Sequence, residues 1–180
     1  MGIIFKKKTI FAAAMGSIVP LNIDLANAFV QPQPFEFKLD SAFFEALDQD
    51  EIQGGDVVVS GEARPRHDGM VEAVYHVKGN VQVSCDRCLD PMDFPVEVED
   101  STLIATEGQD EGTAEPDYVV SPRQREFDLA WAVYQAIELS LPLVRIHPEG
   151  QCNPEMLAYI QSDATVTDED ADDADEEDFE

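Results

Sequence analysis

The chain has 180 residues, of which 38 are acidic and 11 basic, so its formal charge at pH 7 is -27. Its hydrophobic content of 44% is enough for a core, which excludes a wholly disordered chain. No apolar run reaches the roughly 18 residues of a membrane helix. The acidity also argues against a conventional nucleic-acid binder, because such proteins neutralise phosphates with clustered lysine and arginine. We therefore expect basic partners and no membrane association.

The C-terminal end carries a concentrated part of this charge. Residues 161–180 hold 11 of the 38 acidic residues and no basic residue, which predicts a disordered acidic tail. Without the tail the formal charge is still -16, so the folded part is acidic in its own right. The tail can attract a basic partner, or it can serve solubility alone.

The N-terminal end partly matches a secretory signal. Lysines 6–8 precede an apolar stretch, and Ala26-Asn27-Ala28 has the small residues of a cleavage site. The stretch is interrupted by Pro20, Asn22 and Asp24, and residues 18–25 read equally well as a strand. We predict an extension or mis-assigned start at 1–14 and a domain at 15–160 that is cytoplasmic, with export as the alternative.

The middle of the chain predicts consecutive antiparallel strands. Residues 35–39 alternate apolar and polar, and Asp40 or Ser41 can cap a short helix through Leu47. We expect Gly54-Gly55 to break the chain. Further strands are predicted over 57–63, 70–84 and 92–106, with a turn at His67-Asp68-Gly69 and a bulge at Gly79-Asn80.

The C-terminal third predicts helices. Residues 107–117 read as a polar loop, after which Asp128 can cap a helix that ends before Pro142. The apolar face of this helix comprises Leu129, Val133, Ala136 and Ile137. A last short helix is expected over 154–160. The predicted fold class is α+β: mainly an antiparallel β-sheet or partial barrel with a few short helices, one C-terminal helix being packed on the sheet.

The sharpest local motif is Cys85-Asp86-Arg87-Cys88, at the end of a predicted strand. Two thiolates two residues apart can bind one metal ion from a tight turn, and a tetrahedral zinc site needs two more ligands. Cys152 and His147 can complete a Cys3His site that joins the hairpin to the C-terminal loop. The alternatives are an exposed loop histidine at 147 and reduced thiols without metal, and further possible ligands are His67 and His76.

The cysteine pair has a second possible use, as a redox couple. A thioredoxin-like redox couple lies at a helix start, whereas here a strand precedes the pair and Pro91 follows it. Arg87 can lower a thiol pKa, or it can be a solvated turn residue. No His-Glu-x-x-His motif, phosphate-binding glycine loop or Gly-x-Ser-x-Gly elbow is present. We therefore predict that any zinc is structural and that the protein is not an enzyme.

Two blocks of sequence resemble one known family. The first block is Cys85-Asp86-Arg87-Cys88-Leu89-Asp90 after a valine-rich strand. The second block comprises 127–129, 137–142, 147–148 and 152–156 (Phe-Asp-Leu, Ile-Glu-Leu-Ser-Leu-Pro, His-Pro and Cys-Asn-Pro-Glu-Met). Over roughly residues 17–160 the chain is similar to the YceD-like family, the large ribosomal RNA subunit accumulation proteins. Many members have a fuller cysteine cluster near the C-terminus than the single Cys152 here, which is why His147 is included.

The resemblance implies a non-enzymatic, cytoplasmic factor that supports 23S rRNA accumulation and large ribosomal subunit assembly. It carries over to Cys85, Arg87, Cys88 and Cys152. The charge adds the hypothesis that the chain binds a basic ribosomal protein or assembly factor on the pre-50S particle, and not bare RNA. The alternatives are a thiol oxidoreductase that uses Cys85 and Cys88, and an exported interaction domain stapled by zinc.

Overall fold

The computed structural model describes residues 20–108 and 114–163, with side chains described as far as residue 160. The strands in this part of the chain are β1 (Asn22–Asp24), β2 (Gln33–Leu39), β3 (Ile52–Pro65), β4 (Val71–Ser84), β5 (Pro91–Thr106), β6 (Tyr118–Val120) and β7 (Glu126–Asp128). The helices are α1 (Leu25–Ala28), α2 (Ser41–Ala46), α3 (Ala130–Ser140) and α4 (Pro154–Asp163).

The main sheet has the strand order β2-β3-β4-β5-β6. Its first four strands are antiparallel neighbours, whereas the short β6 runs parallel to β5. β2 and β6 form the two edges, so the sheet is open. β1 and β7 form a separate antiparallel pair. The predicted α+β class with a mainly antiparallel sheet is confirmed, in the open form.

Alternation of side chains makes one face of this sheet the core. Along β4, buried Ala73, Tyr75 and Val77 alternate with Val74 and His76, which are only half-buried. Successive side chains of a strand point to opposite faces, so this pattern turns one face inward. The valines of β3 and β4 also suit an extended backbone, because β-branched residues pack well on a pleated surface.

Two helices cover the inner face. The Asp40 carboxylate accepts a hydrogen bond from the Phe43 backbone N–H of α2, as the capping prediction requires. Phe43 and Phe44 are buried in an edge-to-face pair with ring centroids 5.2 Å apart. α3 lies against β5 and buries Ala132, Val133, Ala136 and Ile137, which confirms the C-terminal helix packed on the sheet.

Two local predictions need correction, and one strand had no prediction. Gly54 and Gly55 do not break the chain but lie inside β3, which begins at Ile52. The register shift of the β3–β4 pair falls between Ile52 and Gly54, whereas the predicted bulge position at Gly79-Asn80 keeps regular pairing. The parallel strand β6 was not predicted, because three residues after a polar loop carry too little periodicity.

The segment before β2 belongs to the folded core. Leu21, Ile23 and Leu25 are buried, and β1 pairs with β7 near the start of α3. A cleavage after Ala28, as the export hypothesis requires, would remove these side chains from the core. None of the helices in the described part of the chain has both the length and the apolar character needed to cross a bilayer. The expected extension at 1–14 and residues 164–180 of the expected acidic tail lie outside the described residues.

Gly61 tests how closely β3 and β4 approach each other. A Cβ added at Gly61 would meet the Val74 carbonyl oxygen and would lie 2.8 Å from Tyr75 Cα, both of them backbone atoms. We expect Gly61→Ala to lower the free energy of unfolding by about 2 kcal/mol, because backbone atoms cannot move aside cheaply. Urea unfolding would measure it. The neighbouring exposed change Glu62→Ala is the control, and equal midpoints for the two variants would contradict this packing.

Candidate metal centre

The hairpin turn between β4 and β5 presents two thiol groups to the interior. The Cys85 backbone N–H donates to the Asp90 carbonyl at 2.9 Å, and the Leu89 N–H donates to the Cys85 carbonyl at 2.9 Å. These two bonds fold residues 85–90 into a compact loop. Cys85 and Cys88 are both buried, with exposed fractions of 0% and 1%. The turn therefore directs both sulfurs to the same side, as expected for two ligands of one ion.

Leu89 holds an unusual place in this turn. Its φ of 62° lies in the left-handed region, and its side chain is 66% exposed. This conformation costs a residue with a Cβ on the order of 1–2 kcal/mol, and glycine is the residue that normally occupies it. Neither the backbone geometry nor burial explains a leucine at this position.

The chain after α3 brings the other two side chains to the turn. The Asp86 N–H donates to the Arg145 carbonyl at 2.7 Å, and the Arg145 N–H donates to the Asp86 carboxylate at 2.6 Å. This pairing lays the segment before His147 along the cysteine turn. A tight turn at 148–151, with Gly150 at a φ of 80°, then returns the chain so that Cys152 faces the same spot.

The four side chains meet within one small volume. Cys85 Sγ lies 3.9 Å from Cys152 Sγ, and Cys88 Sγ lies 3.4 Å from His147 Nδ1. All four candidate ligand atoms lie within 4.8 Å of one another, and the three cysteines are free thiols. In a tetrahedron with zinc–sulfur bonds of about 2.3 Å, neighbouring sulfurs lie about 3.8 Å apart. The donor set and its spacing therefore fit a tetrahedral metal ion.

The protonation of the cluster also suits a cation. Burial acts to raise the pKa of the Cys85 thiol, but backbone N–H groups of Cys88, His147 and Arg87 lower that pKa to about 6. For Cys152, burial raises the pKa, and the neighbouring Cys85 and Cys88 raise it further. Backbone N–H groups thus stabilise the thiolate of Cys85, whereas burial and the neighbouring Cys85 and Cys88 disfavour a thiolate at Cys152. A bound dication would remove this repulsion among the sulfurs.

Apolar and charged residues support the cluster from outside. Met92, Met156 and Leu157 pack against the three cysteines. Arg145 Nη1 lies 2.9 Å from Glu51 and Nη2 lies 3.9 Å from Asp86, so its guanidinium links the cysteine turn to the start of β3. Arg145 Nε is buried and has no hydrogen-bond partner among the described residues. No local motif in the sequence marks Arg145, since its partners lie 59 and 94 positions away.

The remaining predicted residues lie elsewhere or at the surface. His76 is on β4, with Nε2 3.6 Å from a carboxylate oxygen of Glu97, and His67 lies in the β3–β4 turn. Neither belongs to the cluster found among the described residues. Arg87 is exposed in the cysteine turn. The pair Cys85 and Cys88 follows a strand and precedes another strand, so it lacks the helix start that a thioredoxin-like couple uses.

Comparison with known proteins assigns the chain to a family. Residues 73–180, more than half of the chain, match the family model described as large ribosomal RNA subunit accumulation protein YceD. The chain belongs to the YceD family. The resemblance drawn from the two sequence blocks is thereby confirmed, and the matched range contains all four residues of the cluster. The family's name implies involvement in the accumulation of large-subunit ribosomal RNA, and it names no reaction. No curated protein and no solved structure matches the chain.

Arg145 provides a test of how the cluster is held together. We expect Arg145→Ala to lower the free energy of unfolding by on the order of 1–2 kcal/mol, because the Glu51 and Asp86 carboxylates lose a largely buried partner. Chemical denaturation at pH 7 would measure the change. Arg87→Ala removes an exposed arginine from the same turn and should leave stability within about 0.5 kcal/mol. Equal losses in both variants would contradict the bridging role of Arg145.

Proposed function

We propose that this YceD-family protein supports 23S rRNA accumulation and large ribosomal subunit assembly by binding a basic ribosomal protein or assembly factor, without catalysing a reaction. Membership of the family carries the proposal, since its name refers to large-subunit ribosomal RNA. The formal charge of -27 supports the mode of action, because a strongly acidic surface attracts cationic proteins and repels phosphates.

The ion pairing of several basic residues supports a protein partner over bare RNA. Arg64 and Arg66 form ion pairs with Glu72, Lys78 with Glu97, and Arg145 with Glu51. Each of these cations already lies beside a carboxylate, so it is poorly placed to neutralise a phosphate. Proteins that bind RNA through its backbone need clustered cations that are free to replace counterions. We therefore propose contact with the basic proteins of the pre-50S particle, and the family role supports a cytoplasmic location.

Affinity purification at two salt concentrations tests this partner class. The full chain is used as bait in a lysate at low and at moderate salt, and the bound protein and RNA are both identified. We expect basic large-subunit proteins or assembly factors whose recovery falls steeply as salt rises, because screening weakens contacts between surface charges. Recovery of RNA with no basic protein would contradict the proposal, as would unchanged large-subunit levels after depletion of the protein from cells.

We also propose that Cys85, Cys88, His147 and Cys152 hold one structural zinc ion. Three sulfurs and one imidazole match the Cys3His type of structural zinc site, in which four protein ligands leave no open position on the metal. The zinc would link the β4–β5 turn to the segment before α4. Thiolates are the binding form, and burial beside Cys85 and Cys88 raises the pKa of Cys152, so zinc must displace protons and its affinity should fall as the pH drops.

Zinc content and heat stability test this site. Protein purified without chelator should contain close to one zinc ion per chain, and a strong chelator should lower its Tm by several degrees, since structural zinc contributes directly to folding. His147→Ala should lose zinc on dialysis much more readily than the wild type. His76→Ala is the matched control and should retain it, because His76 lies on β4 beside Glu97. Zinc-free wild-type protein, or equal retention by both variants, would refute the ligand set.

A further inference from the structure

Large apolar side chains are exposed around the cysteine turn. Leu143 is 100% exposed, Leu139 85%, Leu89 66%, Val144 65% and Ile146 41%. We call these five residues the apolar strip. Four of them fall within eight consecutive residues at and after the end of α3, which is a concentration well beyond single scattered apolar residues.

Backbone contacts bring the two parts of the strip to the same region. Asp86 and Arg145 exchange hydrogen bonds of 2.7 Å and 2.6 Å, so the segment that carries Val144 and Ile146 runs alongside the turn that carries Leu89. The contact of 3.4 Å between Cys88 Sγ and His147 Nδ1 joins the same two segments two residues further along each of them. The strip therefore surrounds a part of the fold in which two segments are joined by several contacts.

Leu89 gives the clearest sign that this surface is used. Glycine would occupy its left-handed backbone without strain, and a polar residue would suit its exposed position. For folding alone, both the backbone conformation and the exposure of this position favour a residue other than leucine. A partner that covers the side chain would compensate for both disadvantages, since burial of an apolar group at an interface is favourable.

The borders of the strip define the chemistry of its partner. Glu138 is exposed beside Leu139. The Tyr134 hydroxyl of α3 donates to Gln49 Oε1 at 3.2 Å, and Asp50 and Glu51, which follow Gln49, are exposed. α3 and the loop before β3 therefore share one acidic surface at this end of the molecule. Arg145, the arginine within the segment, is already bound to Glu51 and Asp86. Apolar side chains bordered by carboxylates complement a cationic segment that also carries apolar residues.

We infer that the apolar strip and its acidic border are the docking surface for a Lys- and Arg-rich protein segment that carries apolar side chains. The inference rests on the proposed function and adds to it the place on this chain where the basic partner binds. Apolar contacts at the centre would supply affinity, and the carboxylates around them would supply attraction and orientation. RNA is disfavoured here because the carboxylates that border the strip repel its phosphates.

Two variants and one matched control test the docking surface. The probe is the total protein of pre-50S particles, which includes ribosomal proteins and assembly factors, stripped of RNA. The full wild-type chain retains its partner from this mixture, and that partner is then purified and titrated. Leu89→Gly and Leu143→Ser should each weaken its binding at least fivefold, and the double variant at least tenfold. Val30→Ser removes a 78% exposed valine outside the strip and should bind like the wild type. Leu89→Gly should also be at least as heat-stable as the wild type.

The outcomes separate this inference from the proposed function. If the wild type retains a basic subunit protein and the strip variants bind it as tightly, the docking surface is wrong while the partner class stands. If the wild type retains no basic protein from these particles, or binds only the stripped 23S rRNA, both are overturned. Should Leu89→Gly disturb the metal cluster, shown by its zinc content, then Leu143→Ser decides alone, because Leu143 is fully exposed and outside the turn.

Discussion

Convergence of three thiols and one imidazole on a single point is the constraint on which this end of the molecule depends. The turn between β4 and β5 contributes two of the groups, and the irregular chain after α3 contributes the others, from positions 59 to 67 residues away. Apolar packing contributes little to the position of this segment, since most of its side chains from 142 to 151 are exposed. The sulfur and imidazole contacts, together with Arg145, therefore hold this segment in place, as the hydrophobic core holds the other elements.

This arrangement explains how an exposed apolar surface can keep a defined backbone. Apolar residues in a free loop would collapse onto one another or onto the domain, whereas here the backbone is held by the cluster and by the Asp86–Arg145 pairing. A rigid surface loses little conformational entropy when a partner binds. In a chain with 38 acidic residues the same surface is bordered by negative charge, so specificity from apolar contacts and attraction from charge can act at one place.

Local signals in the sequence predicted those elements whose formation depends on neighbouring residues. The valine alternation of β4, the Asp40 cap of α2 and the apolar face of α3 are each contained in a short window, and each was found close to its predicted position. Predictions failed where pairing partners decide the outcome. Gly54 and Gly55 continue β3 because β4 supplies their partners, and β6 forms because β5 has a free edge beside it. Glycine and short polar segments carry no period of their own that could reveal such pairing.

The amino-acid sequence by itself determined the α+β class, the family and the residue types of the cluster, because composition, periodicity and the Cys85–Cys88 spacing are local properties. Only the tertiary structure decided that His147, and not His67 or His76, faces the cysteines, since the meeting of distant segments depends on backbone contacts along the whole path. The same holds for Arg145, whose partners lie at Glu51 and Asp86. It holds also for Leu89, because neither a positive φ nor the exposure of a leucine can be read from residue identity.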